Sequence, residues 1–187
     1  MNLPPAVDGF PAACRQHKIT PTRYVFCVNV AEQSAVLLAR GMRPSRQAPD
    51  TYSLVQPYRC STSKFGIGQV SGSNCTPLGL HRIANKIGGG CPAGTVFKGR
   101  KPVGFIGQGL PLTSITTRIL WLEGLEPGFN RGGEVDSHAR FIYIHGTGDE
   151  QTIGQPASHG CVHLAAEDLI PLYDRLPVGT LVWISER

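Results

Sequence analysis

Apolar residues in this chain recur at every second position, in short bursts that end at glycine or at polar breaks. Tyr24, Phe26, Val28 and Val30 fall on one side of the first burst, and Val25, Cys27 and Asn29 on the other. Period-two alternation is the pattern of a strand, whose successive side chains point to opposite faces. The polar break Glu32-Gln33-Ser34 leads into Val36-Leu37-Leu38 and then Gly41, so the first two bursts read as a hairpin. Further strand patterns stand at 52–55, 64–70, 116–125, 141–145 and 181–184, and the one over 141–145 delivers His145 at its end. With 23 glycines and 15 prolines in 187 residues, turns are frequent, which favours many short strands over a few long helices. The stretch CTPLGLHRI (75–83) reads as a turn into a short apolar segment, and 87–94 and 98–112 as Gly/Pro loops. The glycines of 87–94 lack the Gly-Lys-Ser/Thr that a phosphate loop requires.

The one clear helix pattern covers 165–176, where Leu169, Leu172, Tyr173 and Leu176 share a face. Pro171 sits within it, so the helix is expected either to kink or to start late with Pro171 in its first turn. The Pro/Ala-rich residues 1–21 read as an extended lead-in, and 22–187 as one domain, mainly β with a helix near the C-terminus.

An apolar share of 41% and a charged share of 17% describe a globular protein able to bury a core. The net charge of +5 is spread along the chain, with no basic arm or stripe. Aromatics are 7%, and no finger, zipper or RNP-like run appears, so a nucleic-acid partner has no support. No run is long enough to span a bilayer, and residues 1–22 carry neither a basic n-region nor an apolar h-region. As written, the chain is expected in the cytoplasm; a longer N-terminus would place it in the periplasm or cell wall. The six cysteines are irregularly spaced and are expected as free thiols.

Cys161 lies in PASHGCVHL (156–164), with His159 and His163 two positions to either side. Three readings compete. A thiol becomes a nucleophile as thiolate, and an imidazole beside it lowers its pKa; His145, sixteen positions upstream, is the candidate base. Alternatively His159, Cys161, His163 and His145 form a ligand set acceptable to zinc, although side chains alternating on a flat strand splay apart. The third reading is a buried cysteine with core histidines.

The residues also resemble a known family. IHGT (144–147) followed by IGQPASHGC (153–161) is similar to the catalytic box of the L,D-transpeptidase (YkuD-type) domain. VNVAEQSAVLL, CTPLGLHRI, TTRILWLEGLEPG and VDSHARFIYIHGT resemble other segments of that domain, so the likeness covers about residues 22–185. It implies an L,D-transpeptidase-type β-sandwich, with one helix after the cysteine segment and short additional helices or turns. It also implies Cys161 as nucleophile and His145 as general base, with the Gly146 carbonyl orienting the imidazole. The Gly160 and Cys161 amides would form an oxyanion site. Ser158, His159 and Thr147 are supporting residues. The implied partners are peptidoglycan tetrapeptides or muropeptides, with carbapenem-type β-lactams as inhibitors, and no metal or organic cofactor is needed. Cleavage would fall between the third residue of the stem, a diamino acid, and terminal D-alanine. Water as acceptor makes an L,D-carboxypeptidase of muropeptide recycling, the reading placed first; an amine makes a cross-linking L,D-transpeptidase. A binding or zinc-stabilised domain is the rival of another class.

One departure stands out. Where the family has arginine two positions after the cysteine, this chain has His163, which clamps a carboxylate less well. His163 and Arg118 are the candidate substrate-binding residues, with Arg82 and Lys86 as other sources of the missing charge. Ala165 and Ala166 also leave the following helix without its usual polar cap.

Overall fold

The alternation at 24–30 forms β1 (Tyr24–Asn29), which turns back into β2 (Ser34–Arg40) with Tyr24 opposite Ala39. The structure, a computed structural model, describes residues 7–41 and 51–187; the first six residues of the lead-in and residues 42–50 lie outside that description. β3 (Tyr52–Arg59) extends beyond the expected 52–55 and pairs with the outer edge of β2. Its Pro57 fits there because an edge strand has one side with no ladder to serve.

The centre is built from β4 (Gly79–Ile87), β7 (Ile115–Gly124) and β10 (Leu181–Ser185). Between β4 and β7 run β5 (Thr95–Lys98) and β6 (Lys101–Phe105). β8 (Tyr143–Thr147) and β9 (Val162–Leu164) follow β7 in the chain. The strand order is β3-β2-β1-β10-β4-β7-β5-β6, with β8 paired to β7 and β9 to β8. The β1–β10 and β8–β9 pairs are parallel. Phe26 and Leu37 from one end of the sheet share a core with Ile144, Val162 and Leu164 from the other. Strands that far apart in order meet only if the sheet curls over, which gives the mainly β, sandwich-like form.

Four local expectations change. The lead-in is not extended throughout: α1 (Phe10–Gln16) follows Gly9, carries Pro11 in its first turn and buries Phe10 against Tyr52 and Trp183. Residues 64–70 form no strand, because Ser63 Oγ captures the Phe65 N–H at 2.9 Å and bends the chain. The 98–112 loop contains β6, which pairs with β5 despite Pro102 and Gly104. Finally, α2 (Ala166–Arg175) starts five residues before Pro171 and runs through it. Burial of Leu169, Leu172 and Tyr173 offsets the lost bond. No side chain at Ala165 caps α2, but Glu150 Oε1 accepts the Ala166 N–H at 2.7 Å from across the fold. Among the described residues no helix is long and apolar enough to cross a membrane.

Candidate active site

β8 and β9 run side by side, with His145 opposite His163, and Cys161 sits one residue before β9 begins. His145 is the middle residue of β8, not its end, because residues 140–142 turn before pairing starts. Parallel pairing of two short strands is thus what brings together residues sixteen positions apart. A cleft of about 250 Å³ is lined by Lys64, His145, Thr147, His159, Cys161 and His163. A neighbouring cleft of about 400 Å³ shares Thr147 and Asp149 with it.

His145 is buried, and its Nδ1 lies 2.8 Å from the Gly146 carbonyl. A carbonyl only accepts, so Nδ1 carries the proton and Nε2 is left as the basic nitrogen. Gly146 is needed at this point: a Cβ there would stand 2.8 Å from Thr116 Oγ1 and 2.9 Å from its carbonyl. Burial pulls His145 down to about 4, against the opposing carbonyl bond. Burial pushes the Cys161 thiol up to about 11, opposed by the Tyr143 amide and by the Arg140 charge. This reverses the lowered thiol pKa read from the sequence. Desolvation outweighs both of these opposing influences, and near neutral pH the pair stands as thiol and neutral imidazole.

The sulfur is held from below. The Tyr143 N–H donates to Sγ at 3.4 Å, and the thiol donates to the Phe141 carbonyl at 3.5 Å. Ser158 is fully buried; its hydroxyl donates to the Cys161 carbonyl at 2.6 Å and accepts the Gly160 N–H at 3.1 Å. Gly160 has φ +116°, and a Cβ there would lie 3.1 Å from the Cys75 carbonyl, so no other residue fits without strain. Because its N–H is turned toward Ser158, the Gly160 amide is not an oxyanion donor here. Thr147 Oγ1 accepts the Asp149 N–H at 3.2 Å and donates to the Leu112 carbonyl at 3.4 Å, fastening the loop after β8.

His159 is exposed and packs its ring 5.4 Å from Phe65. His163 is buried 4.6 Å from the His145 ring, and its Nδ1 has no hydrogen-bond partner among the described residues. Burial, and then its neighbours His145 and His159, pull it to about 3, so it supplies no positive charge. Arg118 is outside the cleft: it is buried, donating to the Cys91 and Thr117 carbonyls. Arg82 pairs with Glu123 at 2.8 Å, and Lys86 donates to the Tyr173 and Leu176 carbonyls. Among the described residues no three His, Cys, Asp or Glu side chains are arranged to hold a metal ion. Sequence reasoning missed Lys64, Asp149, the Tyr143 amide and Arg140. Arg140 and Tyr143 stand in the 135–147 segment and Asp149 just after it, but their contacts with the site are made by a side chain bonded to the 68–75 loop and by a backbone amide, which residue types do not display; Lys64 is brought in from a distant loop.

A histidine fixed by a carbonyl, in one cleft with a cysteine at a strand mouth, is an arrangement that cysteine acyl transfer would use. The family model for the L,D-transpeptidase catalytic domain (YkuD) matches residues 23–184, and the chain belongs to that family. The Escherichia coli K12 protein named "Probable L,D-transpeptidase YbiS" is 49% identical over 43 residues, 23% of this chain and 14% of its own. Bd1075 of Bdellovibrio bacteriovorus superposes with a TM-score of 0.57 at 14% identity, over 89% of this chain and 49% of its own. L,D-transpeptidase 3 from Mycobacterium tuberculosis, solved with a faropenem-derived adduct, gives 0.51 at 15% identity, over 88% of this chain and 60% of its own. At these identities the structural likeness is one of fold. The matches span 32% or less of the curated relatives.

Proposed function

We propose that this chain is a cysteine acyltransferase acting on peptidoglycan tetrapeptide stems through a thioester on Cys161. The observation that carries this is the shared cleft of Cys161 and His145, with His145 Nδ1 fixed on the Gly146 carbonyl. The sulfur attacks the carbonyl of the third stem residue while its proton moves to His145 Nε2. The tetrahedral intermediate collapses, the C–N bond to D-alanine breaks, and the imidazolium returns the proton to the leaving amine. In the second half, His145 takes a proton from the acceptor, which adds to the thioester and expels the thiol.

Water is the acceptor placed first, giving an L,D-carboxypeptidase that trims recycled muropeptides. All six cysteines stand as free thiols, which supports a reducing compartment such as the cytoplasm. An amine acceptor would instead form a cross-link or exchange the terminal D-amino acid, in the periplasm or cell wall. Carbapenem-class β-lactams should acylate Cys161, as the adduct and imipenem complexes of solved family members suggest.

The test is mass spectrometry of the full chain with disaccharide-tetrapeptide, with and without a D-amino acid, against Cys161→Ala. Tripeptide alone is the expected product. Exchanged or cross-linked product would replace hydrolase with transpeptidase. The same yield from Cys161→Ala would overturn the nucleophile assignment.

A further inference from the structure

The family arginine is absent at position 163, and none of Arg82, Lys86 or Arg118 stands in for it, yet one guanidinium braces the backbone next to Cys161. It belongs to Arg140, in the turn that enters β8. Its Nη1 donates to the Gln69 carbonyl at 2.7 Å and the Gly68 carbonyl at 3.2 Å. Its Nη2 donates to the Cys75 carbonyl at 2.7 Å and Ser73 Oγ at 3.5 Å. That same Cys75 carbonyl is the atom a Cβ on Gly160 would meet at 3.1 Å. The guanidinium therefore ties the 68–75 loop against the backbone that presents Cys161.

The next residue shows how tightly the turn is held. Phe141 has φ +57°, a conformation rare for an aromatic residue, and its side chain is exposed. Its carbonyl accepts from the Cys161 thiol, and two residues on the Tyr143 N–H donates to the same sulfur. Strain persists where surroundings over-determine a residue. Here Arg140 anchors the chain before Phe141, and β8 pairing anchors it after. With four acceptors already around its donors, Arg140 does not reach substrate; it acts through Cys161.

We infer that Arg140 is a positioning residue for Cys161, which fastens the 68–75 loop against Gly160 and fixes a positive charge beside the sulfur as it becomes a thiolate. The inference rests on Cys161 being the nucleophile. The Arg140 charge favours the Cys161 thiolate, and the carbonyls of the 68–75 loop hold it in place. A guanidinium suits this task because its planar fork serves several carbonyls at once; an ammonium keeps the charge and loses most of the fork.

The test compares Arg140→Gln and Arg140→Lys with the unmodified chain, following alkylation of each cysteine by iodoacetamide against pH, peptide by peptide. Arg140→Gln should move the Cys161 profile up by about 1 pH unit, and slow its labelling about tenfold at neutral pH. Arg140→Lys should leave that profile within about 0.3 unit, while labelling of Cys75 in the released loop rises in both variants. An unchanged Cys161 profile in Arg140→Gln overturns the inference, as does an equal shift in Arg140→Lys. If Arg140→Gln does not fold, the charge is read in Lys64→Gln, which removes the cationic side chain that lines the cleft and leaves Arg140 behind it. There the iodoacetate-to-iodoacetamide rate ratio at Cys161 should exceed that of free cysteine, because a fixed positive charge favours the anionic reagent; a ratio equal to or below that of free cysteine overturns the inference. No peptidoglycan enters these measurements, so their failure is separate from failure of the tetrapeptide reading.

Discussion

Two histidines of this protein are buried alike and do different work. His81 on β4 and His145 on β8 each set Nδ1 against a backbone carbonyl, of Gly79 at 3.0 Å and Gly146 at 2.8 Å. Burial pulls both down to about 4. They part at Nε2. That of His81 meets Ser137 Oγ at 3.0 Å, which closes its bonding inside the core. That of His145 has no protein partner among the described residues, and its ring lines the cleft with Cys161. Desolvation and a carbonyl anchor make a neutral imidazole of fixed tautomer; what meets the second nitrogen decides whether it becomes a base or a brace.

The strongest way to break this comparison is to remove each side chain in turn. Cys161→Ala should abolish turnover, and His145→Ala should lower the acylation rate by about 10²–10⁴-fold at unchanged fold. His81→Ala should leave the rate within about threefold but cost about 2 kcal/mol, since it orphans Ser137 and leaves a cavity. Stopped-flow acylation by imipenem and urea unfolding of the same samples read both quantities. A large rate loss in His81→Ala with its stability intact would dissolve the distinction.

Acid sharpens it next. The folded pKa values near 4 lie below the ordinary value of 6.5, so between them the unfolded chain binds more protons than the native one. Stability is complete above about 6.5 and falls as pH drops toward 4. At pH 5 each such histidine should cost about 2 kcal/mol, so the urea midpoint should drop, and drop less in His81→Ala. The initial rate depends on neutral His145 alone and should hold until pH approaches about 4. A rate that titrates near 6.5 would mean His145 is not the desolvated base described here.

Smaller effects follow around the sulfur. Ser158→Ala removes the bridge from Gly160 to the Cys161 carbonyl and should cost about 1–2 kcal/mol, with a loss in acylation rate of about tenfold. His159→Ala should change that rate by less than about threefold, because the ring is exposed and touches Phe65 instead of the sulfur. A loss as deep as that of His145→Ala would give His159 a chemical role.

Much of this was readable from residues, and unevenly. Apolar bursts between polar or glycine breaks located β1, β2, β7 and β10, and β1 and β2 prove to be buried on both faces. The pattern failed at 64–70, where Ser63 and the glycines bend the chain, and at β6, whose pairing with β5 overrides Pro102 and Gly104. α1 was missed because seven residues carry too little periodicity to show, and its support is tertiary, through Phe10. The order His145 to Cys161 could be read in the chain; the field around them could not. Burial reverses the thiol shift expected from composition of the motif, and Arg140 has no local sign of its contact with residues 68–75. The cap on α2 is invisible for the same reason, because Glu150 precedes the helix by sixteen residues.

β10 lies between β1 and β4, pairing Val25 with Leu181 on one edge and Arg82 with Leu181 on the other. It is the last of these strands in chain order, yet it is the seam of the sheet. Until residues 181–185 pair, the β1–β2–β3 meander and the block around β4 and β7 have no strand to join them, although Phe26 and Ile83 belong to one core. Closure of the longest loops therefore waits on β10, which makes folding slow. A chain cut before Leu181 would retain every residue of the catalytic cleft and lack the strand that joins the two halves of the sheet.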